Sequence, residues 1–108
     1  MPLTREFRAS VRARAQSDSR YRAAMLTEAI NELLAGDLGT GRAMLRDYVN
    51  AALSFERLAE ATDLPAKSLQ RMLGPKGNPT AENLFAVIKA LQDAENITLA
   101  VKPSRRAA

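Results

Sequence analysis

Cysteine, histidine and tryptophan are all missing from this chain. Without cysteine there is no disulfide framework, no thiol nucleophile and no thiolate metal site. Without histidine the usual near-neutral acid–base group and the imidazole metal ligand are gone as well. Catalysis would fall to carboxylates or a Ser–Lys pair, and the adjacent Lys67 and Ser68 point to different sides of a helix. The chain is therefore expected not to be an enzyme and to hold neither metal nor cofactor. Aromatics are scarce at 5%, whereas hydrophobic residues reach 46% and are mostly Ala and Leu, a balance that predicts a small all-α fold. No apolar run approaches the roughly 18 residues of a membrane span, and the N-terminus has no signal-peptide core. A cytoplasmic protein with no membrane association is expected. At 108 residues the chain makes about one domain, small enough that dimerisation would help to cover apolar surface.

The net charge of +4 is unevenly placed. Arg5, Arg8, Arg12, Arg14, Arg20 and Arg22 crowd the first segment against only Glu6 and Asp18. Between Ala23 and Asp63 acids dominate. From Leu64 to Ala81 there are Lys67, Arg71 and Lys76 and no acid at all. A basic surface on a neutral-to-acidic scaffold is how a DNA-facing protein is charged. For the N-terminal arginines a solvated helix face is as good a reading as a DNA contact.

Three regions follow from the patterning: an N-terminal helical segment over 1–36, a DNA-binding unit over 37–101 and a basic, disordered tail over 102–108. Thr4 can cap a first helix in which Phe7, Val11 and Ala15 form a thin apolar stripe among arginines. Such a stripe suits docking onto another helix or a partner better than a self-sufficient core. Ser17, Asp18 and Ser19 interrupt it, and any of them could cap the next helix. Tyr21, Met25, Leu26, Ala29, Ile30, Leu33 and Leu34 then make a broad apolar face that ends at Gly36, a C-terminal cap. GDLGTG, from Gly36 to Gly41, lacks the Lys and hydroxyl pair of a phosphate-binding loop and follows a helix rather than a strand, so it reads as an interhelical turn. Leu38, Met44, Leu45, Tyr48, Val49, Ala52 and Leu53 line the next helix.

The stretch SFERLAEATDLPAKSLQRML, Ser54 to Leu73, holds two short helical patterns joined by a very tight turn. Ser54 caps the first, whose Phe55, Leu58, Ala59 and Thr62 share one face. Pro65 fits the first turn of the second, where its missing N–H has no partner to lose. The spacing resembles the helix-turn-helix of DNA-binding proteins. Ala59 is small where the helices cross, Leu64, Leu69 and Met72 hold the crossing, and Leu73 can pack inward with Leu69 and Met72. Asp63 occupies the turn position that visits φ > 0, which Asp tolerates at modest cost. Lys67, Ser68, Gln70 and Arg71 are left facing out. Lys67, Ser68 and Gln70 are the base-reading candidates, Arg71 reaches base or phosphate, and Lys76 and Asn78 in the following loop hold the DNA backbone.

GPKGNP, with two Gly and two Pro, cannot continue a helix. Thr80 caps a last helix carrying Leu84, Phe85, Val87, Ile88 and Leu91 as the lid of the core. NITLAV, Asn96 to Val101, alternates like a strand with no other strand in the chain to pair with. Pairing with the same strand of a second subunit or with a partner's sheet edge resolves that, and a homodimer with this strand as its seam is expected.

From Tyr21 to Val101 the order of features resembles the HigA-like antidote (antitoxin) family of bacterial addiction modules. An acidic, Leu- and Ala-rich helical lead precedes LAEATDLPAKSL; the loop Gly77, Asn78, Pro79, a hydrophobic helix and a terminal strand follow. Asp63 stands where that family usually has Gly, and the resemblance does not place the more basic segment before Tyr21. The resemblance implies a λ-repressor-like helical bundle with a short C-terminal β-strand, binding to the operator of its own operon, and a RelE-like toxin as partner; the thin-striped helix from Thr4 to Gln16 is the candidate contact for that toxin. A plain helix-turn-helix regulator with no toxin, and an interaction module that has lost DNA binding, are the alternatives.

Overall fold

Polar side chains decide where most of the helices start. In the computed structural model, which describes residues 4–107, the chain forms α1 (Arg5–Ser17), α2 (Ser19–Leu34), α3 (Leu38–Ala52), α4 (Phe55–Thr62), α5 (Ala66–Met72) and α6 (Ala81–Glu95). Met1, Pro2 and Leu3 of the N-terminal segment and Ala108 of the tail lie outside the described residues. Thr4, Ser54 and Thr80 accept from the backbone N–H three residues on, as expected, and Asp37 does the same for α3. Among Ser17, Asp18 and Ser19 it is Asp18 that caps α2, because one carboxylate oxygen takes both the Arg20 and the Tyr21 N–H. Each such cap contributes about 1 kcal/mol. The Thr40 backbone N–H, and after it the Thr40 side chain, hold the Asp37 carboxyl below its ordinary range by hydrogen bonding.

Only Gly36 and Asp37 of the GDLGTG run are turn. Gly36, at φ 87°, and Asp37 donate to the carbonyls of Leu33 and Glu32, which closes α2 in a left-handed cap. The two remaining glycines are helical. Gly41 lets α3 lie close on α2: a Cβ there would sit 2.6 Å from Leu33 Cγ and 3.3 Å from the Ala29 carbonyl. That contact compensates for a residue that costs about 1 kcal/mol inside a helix.

One core joins α2 to α6. Leu26 and Ala29 of α2, Leu45 and Val49 of α3, Leu58 of α4, Leu69 of α5 and Val87 and Leu91 of α6 are all buried in it, so the segments 1–36 and 37–101 share it. α1 packs on α2 and α3 and buries only Ala15, with Val11 half-buried; Phe7 stays 53% exposed.

Two expectations fail at the C-terminal end. Phe85 is not part of the lid but 65% exposed. The core row of α6 runs through Leu84, Val87, Ile88 and Leu91, and Phe85 falls on the far side with Lys89, four residues on. The C-terminal β-strand is absent among the described residues: Ile97 to Val101 is extended without a ladder. Asn96, the first residue of NITLAV, is the left-handed cap of α6 (φ 58°), with its own N–H and that of Ile97 donating to Asp93 and Gln92 carbonyls. The alternation serves packing instead. Ile97 and Leu99 lie against the core, and the Leu99 N–H donates to Gln92 Oε1 at 2.8 Å. A ladder needs a second strand, and the chain supplies none.

At this end four helices meet on two side chains. Arg22 donates from Nε to Glu95 Oε1 (2.7 Å) and from Nη1 to the Ala15 carbonyl (2.7 Å), while the Tyr48 hydroxyl donates to the same Glu95 oxygen at 2.7 Å. Burial pushes the Glu95 carboxyl up, but the Arg22 and Tyr48 hydrogen bonds and the Arg22 charge outweigh it and hold Glu95 below its ordinary value. Burial and the bond to Glu95 push the Tyr48 phenol well up.

Candidate nucleic-acid interface

The sequence from Ser54 to Leu73 builds a helix pair whose second member is pinned from beneath. Phe55 and Leu58 anchor α4 in the core, and Ala59, half-buried, keeps its inner side small. The chain then reverses on Asp63, which adopts the left-handed conformation (φ 58°, ψ 29°) and donates its N–H to the Ala59 carbonyl at 2.9 Å. The φ > 0 turn read from the sequence is thus met by Asp, whose short polar side chain is among the few that accept it. Pro65 sits one position earlier than expected: it is the N-cap of α5, extended at φ −62° and ψ 142°, and its carbonyl accepts from the Leu69 N–H. It still loses nothing by lacking an N–H, and no side chain caps α5.

Leu69 and Leu73 are 0% and 1% exposed, and Met72 and Leu64 pack beside them. With that row turned inward, Lys67, Gln70 and Arg71 share one exposed arc of the helix. Ser68 is half-buried at the margin of the arc, next in helical register to Met72, and contributes less surface than the other three. Lys76 and Asn78 are exposed in the loop after α5.

That loop is held against the end of α5 by a glycine. Gly77 donates its N–H to the Gly74 carbonyl, and a Cβ on it would lie 2.6 Å from the Arg71 carbonyl oxygen and 2.7 Å from the Met72 carbonyl carbon. Any larger residue would push the loop away from the helix. Lys76 and Asn78 flank this contact, so their backbone is fixed beside the last turn that carries Arg71. The GNP triplet was a visible signal of a defined loop; the close approach that requires its Gly was not visible in the sequence.

Electrostatically the surface is unopposed. Among the described residues Lys67, Arg71 and Lys76 have no acidic side chain within ion-pair distance; the pairs that form are Arg14–Asp18, Arg22–Glu95 and Lys89–Asp93. Cations held on a short, pinned helix and its following loop can neutralise phosphates, and Gln70 between them can offer both a donor and an acceptor to a base edge. Comparison with known protein families, with curated proteins and with solved structures found no match to this chain.

Proposed function

We propose that this protein is a sequence-specific regulator of transcription that binds double-stranded operator DNA through α5 and acts as a homodimer. The observation that carries the reading is the exposed arc of Lys67, Gln70 and Arg71 on a helix clamped by Leu69, Met72 and Leu73. Gln70 and Lys67 read base edges, with Ser68 at the edge of the contact; Arg71 reaches base or phosphate, and Lys76 and Asn78 hold the backbone. The bundle it requires is of the λ-repressor type. The likeness of Tyr21 to Val101 to HigA-like antidotes extends the reading to the antitoxin and autorepressor of a module with a RelE-like toxin. A regulator without a toxin would keep every one of these residue roles.

The dimer reading rests on the C-terminal arm. Gln92 takes the Leu99 N–H on one edge, whereas the N–H groups of Thr98 and Ala100, which alternate to the other edge, have no acceptor among the described residues. Val101 is 74% exposed, and Phe85 is exposed on the α6 face that also carries Gln92, seven residues on. Pairing of this edge with its two-fold mate gives the Thr98 and Ala100 N–H groups acceptors and addresses two half-sites about 34–36 Å apart.

Titrating the protein onto duplexes from upstream of its own reading frame, and onto scrambled duplexes, at several salt concentrations tests the DNA reading. A preference for one upstream duplex with a steep salt dependence is expected. Equal, salt-insensitive binding to all of them would remove it.

A further inference from the structure

We infer that α1 is a releasable latch on the C-terminal arm: its seating on Arg22 sets the order of residues 96–101, so that whatever takes hold of α1 loosens the arm. As a control on assembly this rests on the dimer reading above.

α1 is built to leave. A helix of 13 residues that buries only Ala15 has too little apolar contact to stay down by burial alone, and isolated helices of this length are marginal in water. Arg14 lies over the Tyr21 ring of α2, 5.1 Å from its centroid, and the polar hold on the end of α1 that faces Arg22 is on its carbonyls. The Ala15 carbonyl accepts from Arg22 Nη1 at 2.7 Å and the Gln16 carbonyl at 3.5 Å, at the negative end of the helix where carbonyls lack partners.

The same guanidinium is committed elsewhere. Its Nε holds Glu95, whose side chain is 6% exposed against 23% for Arg22. Glu95 is the last residue of α6. Directly after it Asn96 turns left-handed, Ile97 donates to the Gln92 carbonyl, and Leu99 donates to the Gln92 side chain. From the α1 carbonyls to the arm the chain of contacts is therefore Arg22, Glu95, the last turn of α6 and Gln92. Lifting α1 removes one of the anchors that fix Arg22 and opens the Arg22–Glu95 pair to water. A pair that loses its geometry loses the attraction that offsets its desolvation, and the last turn of α6 loosens with it. Coupling between two sites is reciprocal, so pairing of the arm must in turn hold α1 down.

The test uses the full chain carrying Ala15→Arg, which puts a long charged side chain where no space exists and unseats α1. Hydrogen exchange reports on the α1 amides and on Ile97 and Leu99, and sedimentation reports on assembly. Coupling of ordinary size, about 5- to 150-fold, predicts Leu99 exchange faster by about tenfold, dimer dissociation stronger by a similar factor, and little further change when Ala15→Arg is added to Arg22→Met. Unchanged Leu99 exchange with α1 protection lost would overturn the inference. Should Ala15→Arg fail to fold, Arg22→Met alone decides: α1 and the arm must lose protection together, and an arm that keeps it refutes the latch. Faster Leu99 exchange in a protein that sediments as a monomer at every concentration would uphold the latch and discard the dimer reading.

Discussion

α1 and α5 both present cations to solvent, yet they are held in opposite ways. α5 is about half as long, seven residues against 13, but Leu69 beneath it is fully buried and Leu73 just after it is 1% exposed. α1 has buried Ala15, half-buried Val11, the Arg22 guanidinium at its carbonyl end and its own Arg14 over the Tyr21 ring. A cation on a pinned helix has a fixed position and can select a geometry; one on a loosely seated helix can follow whatever it meets. Local charge therefore does not separate the two helices, whereas burial beneath them does.

The sharpest way to break this contrast is to remove the pin. Leu69→Ala leaves a cavity under α5 and is expected to cost about 2–5 kcal/mol, read by urea unfolding. Phe7→Ala on α1 should stay within about 0.5 kcal/mol, as exposed positions do. Equal losses would mean that α1 is as firmly held as α5.

Next come the exposed residues of the pinned helix and its loop. Gln70→Ala is expected to cost roughly 1–3 kcal/mol on the preferred duplex and to relax preference at one base pair; Lys76→Ala should weaken all duplexes alike and lower the salt slope by about one. Binding isotherms on both duplex types check it. Uniform loss for Gln70→Ala would place base reading elsewhere on the arc.

The seat of α1 can be probed by acid. Because Glu95 is held below its ordinary carboxyl value of 4.5, the folded state binds its proton less readily than the unfolded chain. Its stabilisation is complete above that value and is lost as pH falls through the lower, folded one. Unfolding monitored from pH 6 to about pH 3 should show this loss, and Glu95→Gln should flatten part of it. The smallest effect is expected in the turn: Asp63→Gly relieves a left-handed side chain and should stabilise the pair of helices by no more than about 1 kcal/mol, measured as a small rise in urea midpoint.

What could be read in advance was what neighbours along the chain decide. Ser54, Thr80 and the φ > 0 turn at Asp63 act within a few residues of themselves, and the outward arc of α5 follows once Leu69, Met72 and Leu73 are assigned inward. Ser68 shows the limit, because spacing gives direction but not how high the neighbouring chain rises around a side chain. Phe85 was misplaced for a related reason: the last helix has apolar residues on more than one side, and which side meets the core is set by α2 to α4. Within one chain NITLAV forms no strand among the described residues, because alternation states that one row is to be covered, not by what. Arg22 and Glu95 lie 73 positions apart, and no local pattern announces their bond.

Gln92 has a further consequence for how far association can go. Its side-chain amide donates to the Ile88 carbonyl at 3.3 Å, which aims Oε1 at Leu99, while its backbone carbonyl takes the Ile97 N–H. One residue thus imitates a neighbouring strand and occupies one edge of the arm from within the same molecule. An extended segment with two bare edges is a template for open-ended sheet growth. This one has a single edge to offer, so two arms that meet use up all that either has, and a third chain finds nowhere to add.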